Sequence, residues 1–131
     1  MLGVDTNVLV RFLADDDDVQ SAQAKQLLGG HAGIYLSMLV MAETFNVLTK
    51  VRKFPMRAVH ESFREVLSSP AFTVENSPLV ARAIEAGEAA NCGFSDALIA
   101  LQNEVAGCDV TATFDHRASR LNGMQRVEDM L

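Results

Sequence analysis

The chain opens Met1-Leu2-Gly3-Val4-Asp5-Thr6-Asn7-Val8-Leu9-Val10-Arg11-Phe12-Leu13, and the change of pattern at Asp5 decides the fold. Residues 1–4 are short and apolar, as a buried strand is, and they stop at an acid. Residues 8–13 then read as a helix, with Thr6 or Asn7 near its cap. A strand that passes into a helix through a carboxylate is the first half of a β–α unit.

The same alternation continues outward. An acidic turn at residues 15–18 precedes a helix over 19–28, and Gly29, Gly30 and Gly33 bracket a loop. Residues 33–37 read as a second strand, with Ser37 capping a long helix that runs to about Lys53. Pro55 separates it from a helix over 56–67. Residues 71–75 form a third strand, and Pro78 suits the first turn of the helix that ends near residues 91–93. A helix over 95–106 closes at Gly107. Residues 109–113 make a fourth strand, followed by a short helix to about Leu121 and a small edge strand near Val127. Strands alternating with helices predict an α/β fold with a mostly parallel sheet, in one domain spanning residues 1–131.

Composition narrows the class. The chain has 131 residues, 49% hydrophobic and 21% charged, enough for one core without disulfides or a structural metal. The apolar stretch at residues 35–42 is too short for a bilayer, and the opening residues lack the basic region of a signal peptide, so a cytoplasmic protein is expected. Cys92 and Cys108 lack CxxC spacing and read as reduced, buried thiols. The formal net charge is −6, which argues against a nonspecific nucleic-acid binder. It argues less against an enzyme whose acids bind cations, because a bound metal reverses the local field.

Parallel α/β sheets place ligands beyond the carboxyl ends of their strands. Asp5 follows the first strand directly, and Asp115 lies two residues past Thr113 at the end of the fourth. Asp96 opens a helix behind Ser95, and Glu43 lies six residues past Ser37 on the long helix, among Met41, Ala42, Thr44 and Phe45. Hard divalent cations prefer such oxygen ligands. Without one, two charges 4 Å apart repel by about 4 kcal/mol at an effective dielectric near 20. Helix capping accounts for acids at such positions equally well, so spacing alone leaves both readings open.

The string Val-Asp-Thr-Asn-Val-Leu-Val at 4–10 resembles the opening motif of PIN domains. Ala-Glu at 42–43, Phe-Ser-Asp-Ala-Leu-Ile-Ala at 94–100 and Thr-Phe-Asp at 113–115 follow in the expected order. Together they resemble the VapC group, toxins of type II toxin–antitoxin pairs, over essentially the whole chain. The resemblance implies a three-layer fold, with a central parallel sheet of four or five strands flanked by helices and the first strand in the middle. It implies Mg²⁺- or Mn²⁺-dependent RNA hydrolysis by metal-activated water, leaving a 5′-phosphate and a 3′-hydroxyl. Asp5, Glu43, Asp96 and Asp115 become the metal ligands and catalytic acids. Thr6, Asn7, Ser95 and Thr113 become groups that orient them. His116 and Arg117 stand where many relatives carry a further acid, so the expectation is one firm cation position and a weaker second. A cognate antitoxin and a homodimer are the implied partners.

Arg11, Arg117 and Arg120 lie near these motifs and are expected contacts for the RNA backbone. Lys50, Arg52, Lys53, Arg57 and Arg64 either steer phosphate or balance an acidic surface. The run Asp15–Asp18 reads as a solvated turn, because it lacks the glycine and glutamate spacing of a calcium loop. Met38, Leu39, Val40, Met41, Phe45, Val47, Leu48, Val51 and Phe54 surround more than one helix face, so part of that surface is expected to meet a partner. Two other enzyme classes fit poorly. A haloacid-dehalogenase-type phosphatase needs an aspartate where Asn7 stands, and a receiver domain needs a lysine after a late strand. The alternative to a ribonuclease is a noncatalytic PIN-like module that binds RNA or protein.

Overall fold

The computed structural model describes all residues, 1–131. The chain forms two compact units, Met1–Ser77 and Pro78–Leu131. It is α/β, with six α-helices, and every strand pairing in it is parallel.

In the first unit β1 (Leu2–Gly3), β2 (Ile34–Leu36) and β3 (Phe72–Val74) form a three-stranded sheet in that order. Leu2 pairs with Ile34 and Ile34 with Phe72. The middle strand of this sheet is β2 rather than β1, and only β2 alternates between buried and half-buried positions. Helices α1 (Thr6–Ala14), α2 (Gln20–Gly29), α3 (Met38–Asn46) and α4 (Met56–Ser68) accompany the sheet. Leu9, Val10, Ile34, Leu36, Met41 and Phe63 are essentially inaccessible. Phe45 meets Phe63 edge-on at 6.1 Å and stacks on the buried His60 ring at 5.0 Å.

The long helix after Ser37 begins where its cap predicts, with Ser37 Oγ accepting from Val40 N at 3.1 Å. It then loosens into a π turn at Val47–Val51. Lys53 stands at φ 63°, which turns the chain toward Pro55, the cap of α4.

In the second unit α5 (Ser77–Ala89) and α6 (Phe94–Val105) are followed by β4 (Thr111–Thr113) and β5 (Met124–Arg126). The last two pair as a separate two-stranded sheet, Thr111 against Met124. The edge strand expected at Val127 therefore ends one residue earlier, and Val127–Met130 is a 3-10 turn. Gly87 lets α5 approach the turn before α6. A Cβ there would lie 3.1 Å from the Cys92 carbonyl oxygen and 3.2 Å from Gly93.

Candidate metal centre

Asp5 leaves β1 at its carboxyl end and caps α1, a role expected of Thr6 or Asn7. Its Oδ1 accepts from Val8 N at 3.1 Å. An aspartate meets the capping requirement as well as a threonine or asparagine does, and the strand delivers it one residue earlier. The next residue then reaches across the unit: Thr6 Oγ1 donates to Glu43 Oε1 at 3.3 Å. Two of the expected acids are thereby joined through an expected orienting hydroxyl.

Glu43 owes its position to the start of α3. Besides Ser37, the Glu75 carboxylate caps this helix, with Oε1 accepting from Met38 N at 2.9 Å. Glu75 itself is held at the end of β3 by its N–H to the Leu36 carbonyl, 2.9 Å. Met41, Thr44 and Phe45 face inward, while Glu43 is exposed beside Leu39. Its apolar neighbours in sequence thus occupy other faces of the helix and do not enclose the carboxylate.

In the second unit Asp115 follows β4. Its N–H donates to Thr113 Oγ1 at 3.0 Å, and its Oδ1 accepts from Arg117 N at 2.7 Å and Ala118 N at 3.0 Å. The Ala118 N–H foremost, aided by the Arg117 N–H and the charges of Arg117 and His116, holds the Asp115 carboxyl below its usual range against a weaker effect of burial. Asp96 lies in the first turn of α6, a favourable end for an acid, and Ser95 beside it is buried.

Cys92 feels the charge of both acids. Its buried thiol donates to the Arg117 carbonyl at 3.0 Å. Burial pushes this thiol up, and the charges of Asp96 and Asp115 add to the effect while Arg120 and Arg117 oppose it. Cys92 fits the expectation of a buried thiol, whereas Cys108 is exposed.

The structure therefore joins Thr6, the neighbour of Asp5, to Glu43 by a hydrogen bond, while Asp96 and Asp115 share only an electrostatic influence on Cys92. Within neither unit do three or more acid, cysteine or histidine side chains converge closely enough to hold an ion. The donors nevertheless suit a hard divalent cation: all four are exposed or half-buried carboxylates, and Asp5, Glu43 and Asp115 are positioned by a hydroxyl or backbone N–H groups.

The PIN domain family model matches residues 3–124, a span that includes all four motifs. The chain belongs to the PIN domain family. No curated protein matches it. PIN domains are in general metal-dependent nucleases, and the family accounts for the parallel α/β architecture. No helix of this PIN domain protein is long and apolar enough to cross a membrane.

Several residues near the motifs play parts that their sequence positions did not reveal. The run at 15–18 is exposed apart from the half-buried Asp17, as a solvated turn is, and its acids also make surface pairs and a cap. Asp16 pairs with Arg52 and, at 3.6 Å, with Arg11, Asp15 pairs with Lys25 at 2.7 Å, and Asp17 Oδ1 accepts from Gln20 N at 2.6 Å. Arg11 is thus committed within its own unit, while Arg117 and Arg120 remain exposed beside Asp115. Phe114, passed over in the motif, is 86% exposed between Thr113 and Asp115.

Proposed function

We propose that this chain is a Mg²⁺- or Mn²⁺-dependent RNA endonuclease that acts as the toxin of a toxin–antitoxin pair, with both units forming a single PIN domain. The observation that carries the reading is the Thr6–Glu43 hydrogen bond, which links two motifs 37 residues apart in the manner their proposed roles require. Asp5, Glu43, Asp96 and Asp115 are the proposed ligands, and one or two divalent ions, when bound, would neutralise phosphate charge and acidify a water.

The chain's own groups prepare that chemistry. Val8 N–H occupies Oδ1 of Asp5, so Oδ2 is the oxygen proposed for a ligand. Thr6 does the same for Glu43, and the backbone N–H groups of residues 117 and 118 keep Asp115 ionised. In this reading Asp96 orients the attacking water and accepts its proton. In-line attack of the water oxygen on phosphorus breaks the P–O3′ bond; the oxygen stays on the 5′-phosphate, and the leaving 3′ oxygen takes a proton from solvent to become the 3′-hydroxyl. Ser95 and Thr113 support their neighbouring acids, and Arg117 and Arg120 contact the RNA backbone.

The toxin role draws support from the exposed apolar side chains along the helix that carries Glu43 and just beyond it. Leu39 and Val51 are 69% and 68% exposed, and Phe54 lies nearby in sequence. Such a surface suits an antitoxin segment or a second copy of the chain. A cytoplasmic location accords with that role.

The test is cleavage of a panel of single-stranded RNAs with Mn²⁺ by the full chain and by Asp5→Asn and Asp96→Asn. Each substitution is expected to lower turnover by roughly a hundredfold or more, the scale of losing a charged group at a reaction centre. Asparagine caps helices as well as aspartate does, so Asp5→Asn keeps α1 and the melting temperature. Wild-type turnover in both variants overturns the site.

A further inference from the structure

A groove of about 310 Å³ is lined by residues of α1 and α2, with Asp5, the cap of α1, among them. Its polar lining comes from Asp5, Asn7, Arg11, Gln20 and Gln23. Val8, Ala24 and Leu27 supply an apolar wall, and Leu27 is 39% exposed. The volume falls at the lower end of ligand pockets, roughly 300–1,000 Å³, and suits one flat ring system better than a large ligand.

The groove is held open by its own corner. Asp15 ends α1 in a left-handed conformation, φ 50°, with its N–H on the Arg11 carbonyl at 3.2 Å. The buried Ser21 hydroxyl donates to the same carbonyl at 2.8 Å, tying α2 to α1. Asp17 accepts from the N–H groups of Val19 and Gln20 and fixes the start of α2.

The hydrogen-bond capacity left in the groove identifies its ligand. Arg11 Nε can only donate, and it donates to Gln20 Oε1 at 2.8 Å. That bond sets the orientation of the Gln20 amide, so its NH₂ is the group remaining for a ligand. The Arg11 charge is already met by Asp16 at 3.6 Å, and Asp5 adds a further negative charge. A phosphate would be repelled here. A neutral planar group rich in carbonyl acceptors would be welcomed, with its face against Val8, Ala24 and Leu27 and its edge on side-chain amides. Those are the means by which proteins read unpaired bases.

We propose that this groove reads one base of the RNA substrate, next to the cleavage site at Asp5, and selects guanine or uracil. Both carry a carbonyl where adenine and cytosine carry an amine. Gln20 donates to that carbonyl, and Gln23 and Asn7 complete the edge. The inference rests on the nuclease reading for its substrate, and it adds a determinant of sequence preference that acts without charge.

The experiment compares the full wild-type chain with Gln20→Ala, Gln23→Ala and, outside the groove on the same helix, Gln26→Ala. Each is given Mn²⁺ and RNAs carrying every base at each position around the cut. The expected result is a preference for guanine or uracil at one position, reduced about tenfold in Gln20→Ala and Gln23→Ala and retained in Gln26→Ala. Their salt dependence of binding should match wild type, because a base contact releases no counterion. Unchanged preference in both groove variants overturns the proposal while leaving the nuclease reading intact. If the wild type cleaves none of the RNAs, the nuclease reading fails, and binding then judges the groove separately. In amide NMR spectra of the full chain without metal, GMP and UMP should shift the side-chain resonances of Asn7, Gln20 and Gln23 more than AMP and CMP do. Equal or absent shifts overturn the base-reading groove.

Discussion

Asp115 shows how one side chain serves structure and chemistry together. The same oxygen that receives two backbone N–H groups holds the turn after β4 and lowers the carboxyl's proton affinity. Its folded-state pKa therefore lies below the ordinary value of 3.8. The stabilisation that this provides is fully present above the ordinary value and is lost as pH falls through the depressed one. Asp115→Asn lacks a titrating group here, so the stability difference between wild type and variant should shrink as pH drops below 3.8. Denaturant unfolding of both proteins across the acid range measures it, and a difference independent of pH would show that the charge contributes nothing to the turn. Burial foremost, and the charges of Asp96 and Asp115 after it, raise the Cys92 thiol, which favours the protonated form that donates to the Arg117 carbonyl.

Among elements, α5 and the turn after it carry a sharper constraint than their sequence shows. Glycine inside a helix costs about 1 kcal/mol relative to alanine, so Gly87→Ala should stabilise α5 on propensity alone. The Cβ would, however, press on backbone atoms of Cys92 and Gly93, which cannot swing aside as a side chain could. Overpacking of this kind costs about 1–3 kcal/mol, so the steric term wins by about 1 kcal/mol. Thermal unfolding of Gly87→Ala should show a lower midpoint, and a raised one would mean that the turn yields freely. The helices themselves were legible in the sequence because caps and breakers are local: Ser37, Pro55, Pro78 and Gly107 mark element ends within a residue or two. Strand pairing was not, since strands of two or three residues carry too little alternation to reveal their neighbours. Hence the middle place of β2 and the separate pairing of β4 with β5 emerged only in three dimensions. At the candidate site the four acids were legible by motif. The Glu75 cap on α3 and the Cys92–Arg117 tie were not, because both join residues distant in sequence whose types admit many other roles.

At the scale of the whole molecule, a net charge of −6 sets the background against which any cation site must be distinguished. Salt of any kind screens a diffuse negative surface, and the Debye length shortens with ionic strength regardless of which ion supplies it. A specific site behaves differently, because an ion that binds only the folded chain stabilises it by RT ln(1 + [L]/Kd). At ten times Kd this amounts to about 1.4 kcal/mol, which for a chain of this length corresponds to a rise in melting temperature of about 3–6 °C. If the proposed acids share a divalent ion, Mn²⁺ should raise the midpoint by that amount beyond NaCl of equal ionic strength. Asp5→Asn and Asp96→Asn should lose most of the excess, since each removes a ligand charge while Asp5→Asn preserves its helix cap. Calorimetric scans of the three proteins in matched salts make the comparison. Equal shifts in Mn²⁺ and NaCl would mean that the acids act as a screened surface, and a full Mn²⁺ shift in both variants would place the ion elsewhere on the chain.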